Sequence, residues 1–221
     1  MKKQIISIIN NSIITICTIF ATICMFANIH FMPSKFTLES QGLTNFKFFT
    51  VDSNIFIGIV CFIFVIYEIL KLKKKIKEIP RWLYILKHVA TTAIGLTFFT
   101  TCLFLGPTID TGFFSLYTNA NLFYHFIIPV LAMLGYIFLD KYESNYKQCL
   151  YSLIPMVVYS IYYVPNVLLH LDNGRSTAAY DFYGFFHGNP NSIFVFYPLM
   201  LCAVYVIAVV LYTLNKKILK K

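Results

Sequence analysis

Two short stretches carry the side chains with which this chain could do chemistry. The first is "FFTVDSN", Phe48 to Asn54, where Thr50, Asp52, Ser53 and Asn54 put four polar side chains within five positions. The second is "YHFIIP", where His125 precedes Pro129 by four residues. A hydroxyl and an imidazole are the minimum for nucleophilic acyl transfer. The imidazole takes the hydroxyl proton as the oxygen attacks a carbonyl, then gives it to the leaving alcohol. Donors for the oxyanion are also required. Free N–H groups at a helix start point at anions, and those of Ser53 and Asn54 are the candidates here. Ordinary capping explains the same stretch: threonine is a good N-cap, and an aspartate in the first turn suits the positive end of the helix dipole. With Thr50 as the cap, Asp52 falls at the second helical position. Both readings stay open on local grounds.

The elements that must position these groups are membrane helices. Of the 221 residues, 58% are hydrophobic and only 12% are charged, whereas a soluble domain is nearer half apolar and a quarter charged. The aromatic content, with 23 Phe and 16 Tyr, suits lipid-facing surfaces and interfacial belts. Six segments reach the roughly 20 apolar residues a span needs: 5–26, 53–72, 83–105, 122–139, 149–169 and 193–214. The first carries Asn10 and Asn11, is longer than a signal-peptide core and lacks a small-x-small cleavage site, so it is expected to be retained. The expected fold is all-α: one six-helix transmembrane bundle occupying 1–221, without a soluble domain.

The net charge of +9 does not point to nucleic acid, because the positive residues flank the apolar segments. Lys2 and Lys3, the run from Lys71 to Arg81, Lys141, Lys147 and the lysines from Lys216 to Lys221 all fall on one side of the six-span topology. The other side holds only Lys35, Lys47 and Arg175. The positive-inside rule then puts both termini in the cytoplasm of a multi-pass cell-membrane protein. The six cysteines lie in or beside apolar segments without a Cys-x-x-Cys pair, which argues for packing rather than disulfides or zinc. No His-Glu-x-x-His and no Gly-x-Ser-x-Gly elbow occurs. No metal and no cofactor are expected.

This topology sorts the polar residues by depth. Thr50, Asp52, Ser53 and Asn54 fall near the outer interface, with His125 about one turn in from the same side. His170, Asp181 and His187 belong to outer loops. Pro129 has no N–H to give the His125 carbonyl, so the helix is expected to loosen there, and loosened backbone beside an imidazole can line a cavity. The run "VATTAIGLTFFTT" of the third span, with Ala93, Thr97, Thr100 and Thr101, reads as a small-residue face that places this helix centrally. On the inner side, Glu68, Lys87 and His88 read as an interfacial ion pair with a snorkelling lysine.

At "FFTVDSN" and at "YHFIIPVLAMLGYIFLD" the chain resembles the androgen-induced and androgen-dependent intramembrane threonine hydrolases and their bacterial six-helix relatives. That resemblance implies a lipid ester hydrolase of the type that cleaves fatty-acid esters of hydroxy fatty acids. It also implies that Thr50 is the nucleophile and His125 the base, with Asp140 at the inner end of the second motif. Ser53 beside Asn54 is similar to the bacterial relatives. The expected partner is a membrane lipid or other acyl-ester substrate. The alternatives are a transporter or lipid-binding protein, with Asn10, Asn11, the threonines of the third span and His125 along a polar path, or a non-catalytic subunit of a membrane complex.

Overall fold

The computed structural model describes residues 2–34, 42–140, 142, 145–186 and 188–219. His187, Lys35, Lys141, Lys220 and Lys221 lie outside the described residues. Among the described residues there is no strand. Six helices are long and apolar enough to cross a membrane: α1 (Lys2–Phe26), α2 (Phe49–Leu72), α3 (Arg81–Leu105), α4 (Ala120–Phe138), α5 (Tyr146–Leu169) and α6 (Pro190–Leu219). Each matches one of the six apolar runs, extended by a few residues at its ends.

The boundaries follow local chemistry. Phe48 is extended and caps α2 with its backbone alone. That helix stops at Lys73, and Lys74 takes a positive φ of 58°. Pro80, with its φ fixed, starts α3. Asn145 and Gln148 start α5 with a reciprocal capping box. Two helices contain a π turn, in which the backbone bonds skip one residue further along the chain. In α3 it covers Thr101–Leu105, just before Pro107, and in α4 it covers Phe123–Ile127, just before Pro129. In both places a proline withholds the N–H that a regular turn would use.

Helix α3 is central. It packs against α2, α4, α5 and α6, and 61% of its apolar window is buried, against 11% for α6. Its small residues Ala90, Ala93 and Gly95 permit that crowding. The α1–α2 pair is equally close at Gly58, where a Cβ would meet the Thr18 side chain at 2.6 Å. One buried cluster joins α1, α2, α3 and α4 around Ile14, Ile57, Phe64 and Tyr124. A second joins α3, α5 and α6 around Leu96, Met156, Tyr163 and Val204. The outside of the bundle is apolar, with Ile16, Phe62, Ile161 and Val206 more than half exposed.

The end where most lysines gather, called here the lysine end, holds a dense polar network. Lys87 and Asp140 form a buried ion pair at 2.8 Å, with the ammonium also 4.1 Å from the centre of the Phe64 ring. Asn215 donates to the carbonyls of Tyr136 and Asp140. Glu68 accepts from Asn11 at 3.2 Å. His88 stacks on Tyr136 and bonds the Ala208 carbonyl. The snorkelling lysine expected from the sequence is corrected here: Lys87 is fully buried, and its partner is Asp140, across on α4's end, rather than Glu68.

Candidate functional site

At the opposite end, called the loop end, the starts of α2, α4 and α6 meet the close of α3 and α5. Between them lies a chamber of about 60 Å³. Its polar walls are Thr50 from α2, Thr97, Thr100 and Thr101 from α3, His125 from α4, Tyr159 from α5, and Tyr183 from the loop between α5 and α6. Thr50 and His125, placed at one depth by the sequence, therefore line one cavity.

The imidazole is held from behind. Thr101 Oγ1 lies 2.8 Å from His125 Nδ1, and both residues are buried. Each belongs to a π turn, so the two loosened backbones face each other across the α3–α4 contact. The contact holds the ring plane; where Nδ1–H donates to the Thr101 hydroxyl, the Nε2 lone pair is left to act as a base. Nε2 makes no hydrogen bond among the described residues. The sequence pointed to loosening at His125, and the π turn is the form it takes. The sequence places Thr101 in a packing face and, in the transporter alternative, along a polar path, without pairing it specifically with the imidazole. The signal that marks it out is Pro107, which unsettles α3 six positions later as Pro129 unsettles α4.

The start of α2 differs from the expectation in a way that matters. Phe48 is the cap, so Thr50 is the second helical residue and neither Thr50 nor Asp52 caps. The N–H groups of Val51 and Asp52 already bond the Phe48 carbonyl. Those of Ser53 and Asn54 therefore lie inside the helical ladder and are not free for an anion. The first N–H groups of the helix are those of Phe49 and Thr50, at the chamber wall beside the Tyr183 hydroxyl. The Thr50 hydroxyl also lies beside Tyr183 and makes no well-formed hydrogen bond.

Ser53 and Asn54 face neighbouring helices instead of the cavity. Ser53 bonds Thr97 at 3.1 Å and the Thr50 carbonyl. Asn54 is fully buried and donates to the carbonyls of Thr50 at 2.8 Å and Tyr124 at 3.2 Å. It thereby ties the Thr50 turn to the residue before His125. Asp52 is half-buried and outside the chamber wall. Asn10 and Asn11 are far from it: Asn10 bonds the Leu131 carbonyl, and Asn11 bonds Ser7 and Glu68.

The chamber adjoins a groove of about 780 Å³ between α3, α4 and α6. Leu96, Thr100, Leu105, Tyr183, Phe185 and Met200 line both. On α6 the groove runs from Phe196 to Leu214, about 27 Å of helix, and its other walls are Phe, Leu, Val, Ile, Met and Ala side chains.

No family model, no curated protein and no solved structure matches this chain. The site's meaning rests on its own geometry.

The loop between α5 and α6 folds around Asp181. Its carboxylate accepts from the Tyr163 hydroxyl at 2.6 Å, from Ser176 at 3.1 Å and from the Phe186 N–H at 3.0 Å. His170 is exposed, stacks on Tyr180 and bonds the Asn166 carbonyl. Asp181 thus organises the wall that carries Tyr183, and His170 stands away from the chamber.

Proposed function

We propose that this chain is a multi-pass membrane hydrolase that cleaves an acyl-lipid ester, with Thr50 as nucleophile and His125 as general base. The observation that carries the reading is the shared chamber: an unbonded threonine hydroxyl and an imidazole fixed through Nδ1, opening along common walls onto a long apolar groove. Six apolar helices and an apolar exterior support insertion in a bilayer. The lysine asymmetry supports both termini in the cytoplasm and the chamber toward the outer face of the cell membrane.

The chemistry balances without a cofactor. Thr50 Oγ1 attacks the ester carbonyl carbon as its proton passes to His125 Nε2. The oxyanion rests against the N–H groups of Thr50 and Phe49, as a serine protease uses its nucleophile's own N–H. Collapse breaks the C–O bond, and the alcohol leaves with the proton from Nε2. Water, deprotonated by the same nitrogen, then releases the acid from the acyl-threonine and restores the hydroxyl. The acyl chain lies in the groove, and the fatty-acid ester of a hydroxy fatty acid fits as a substrate with one chain on each side of the ester.

One observation favours a second assignment within this chemistry. Thr101 is itself a hydroxyl at 2.8 Å from the imidazole. Its N–H, however, is bonded within α3 to Phe98 and Thr97, so that position lacks the free donors that Thr50 has. Purified protein in liposomes, assayed with a long-chain 4-nitrophenyl ester, tests the choice. Thr50→Ala and His125→Ala should each reduce turnover by about 10⁴-fold or more with folding intact. Turnover that survives Thr50→Ala, vanishes in Thr101→Val and persists in Thr101→Ser would move the nucleophile to Thr101, and wild-type protein without turnover would remove the hydrolase.

A further inference from the structure

Two tyrosines reach the chamber, and they differ in what their hydroxyls do. Tyr159 donates to the Lys47 carbonyl at 2.6 Å, so its proton is committed. The Tyr183 hydroxyl is buried and makes no hydrogen bond. It lies against the backbone of Phe49 and Thr50 and the side chains of Thr50 and Tyr159, without a contact that meets hydrogen-bond distance and angle. A buried hydroxyl without a partner is destabilising, and such an atom in a native fold calls for an explanation.

Its placement is rigid. The Tyr183 ring packs among Phe48, Tyr159, Tyr163 and Phe185 at centroid distances of 6.2, 6.3, 5.8 and 5.3 Å. Gly184, at a φ of 69°, turns the chain immediately afterward and donates its N–H to the Asp181 carbonyl. The Asp181 carboxylate, bonded to Tyr163, Ser176 and Phe186, fixes the base of that turn. Burial pushes the Tyr183 hydroxyl up to about 12, so at neutral pH it keeps its proton and can only be a neutral donor or acceptor.

We infer that the Tyr183 hydroxyl is the third oxyanion donor of the Thr50 site, beside the N–H groups of Phe49 and Thr50. The inference rests on the proposed threonine hydrolase and adds to it the residue that stabilises the tetrahedral state. No bond to Tyr183 forms or breaks. Its O–H, beside the Thr50 and Tyr159 hydroxyls but without a well-formed bond, gains a strong acceptor when the carbonyl oxygen becomes negative. A donor that bonds the transition state and not the ground state raises kcat without tightening substrate binding.

Tyr183→Phe tests this in liposomes with the same long-chain 4-nitrophenyl ester. Removing one oxyanion donor should lower kcat by about 10²-fold with KM unchanged. A merely structural hydroxyl would behave oppositely: deleting an unpartnered buried group leaves the thermal midpoint equal or higher and kcat alone. A Tyr183→Phe variant with wild-type or faster turnover overturns the inference while leaving the hydrolase standing. Wild-type protein with no turnover overturns both. Loss of kcat together with a collapsed thermal midpoint also counts against the donor role, because a ring-preserving change should not unfold the loop.

Discussion

Two regions of this bundle bury polar groups among apolar helices, and they handle them in opposite ways. At the lysine end most groups bond one another: Lys87 pairs with Asp140, Asn215 ties two carbonyls, and Asn11 bonds Glu68, which leaves Asp140 Oδ2 and Asn11 Oδ1 over. A polar cavity of about 180 Å³ lies beside the ion pair, with Lys3, Ser7, Glu68 and Asp140 in its walls. At the loop end the groups line a chamber, where the Tyr183 hydroxyl has no well-formed hydrogen bond and the Thr50 hydroxyl and His125 Nε2 make none with other side chains at hydrogen-bond geometry among the described residues. A closed network fixes helix positions. An open one keeps atoms available to something that arrives. Desolvation makes both arrangements demanding, so the difference lies in which partners are already present.

The largest effect should come from opening the closed network. Lys87→Met leaves the Asp140 carboxylate buried without its cation, and one of its oxygens already lacks a partner. Burial holds that carboxyl above its usual range, with Lys87 drawing it back down. Breaking such a pair should destabilise the protein by about 3–5 kcal/mol, and adding Asp140→Leu should recover most of the loss. Thermal unfolding in detergent measures both. Turnover per folded molecule should stay within about twofold of wild type, since no group at this end touches the ester. A fall in turnover without a fall in stability would break the comparison, because the lysine end would then be a site.

Thr101→Val sharpens the other side. The swap keeps the shape and removes the hydrogen bond to Nδ1. The ring then loses the contact that holds its plane, and kcat should fall by about 10- to 100-fold, less than removal of the base itself. Thr101→Ser keeps the hydroxyl and should restore most of the rate. A merely packing threonine would give the same result for Val and Ser.

The six helices were legible because hydropathy alone sets six apolar runs of spanning length in this chain. Thr50 and His125 were legible as a pair because topology brings the starts of α2 and α4 to one end. Three features were not. The start of α2 lies four residues before the expected 53, since Phe49 is apolar and Thr50 passes equally as cap or first-turn residue. Thr101 is hidden in a threonine-rich face, and only the π turn before Pro107 rotates it toward His125. Tyr183 is one tyrosine among 16, placed by the Asp181 turn, whose bonds run between a loop and α5. Such long-range partners leave no periodic trace in a sequence.

The smallest expected effect concerns the groove, where the comparison predicts loss of binding without loss of chemistry. Ala203 on α6 lines the groove and lies outside the chamber wall. Ala203→Trp fills the path of an acyl chain while leaving Thr50 and His125 untouched. For a long-chain ester KM should rise about tenfold, the equivalent of roughly two buried methylenes at ~0.8 kcal/mol each. A short-chain ester that reaches only the chamber should keep its KM, and kcat should hold for both. Equal losses for short and long chains would mean that the substitution distorts the α3–α6 contact. The groove would then be a packing defect against lipid, and the chamber would have to take its substrate by another route.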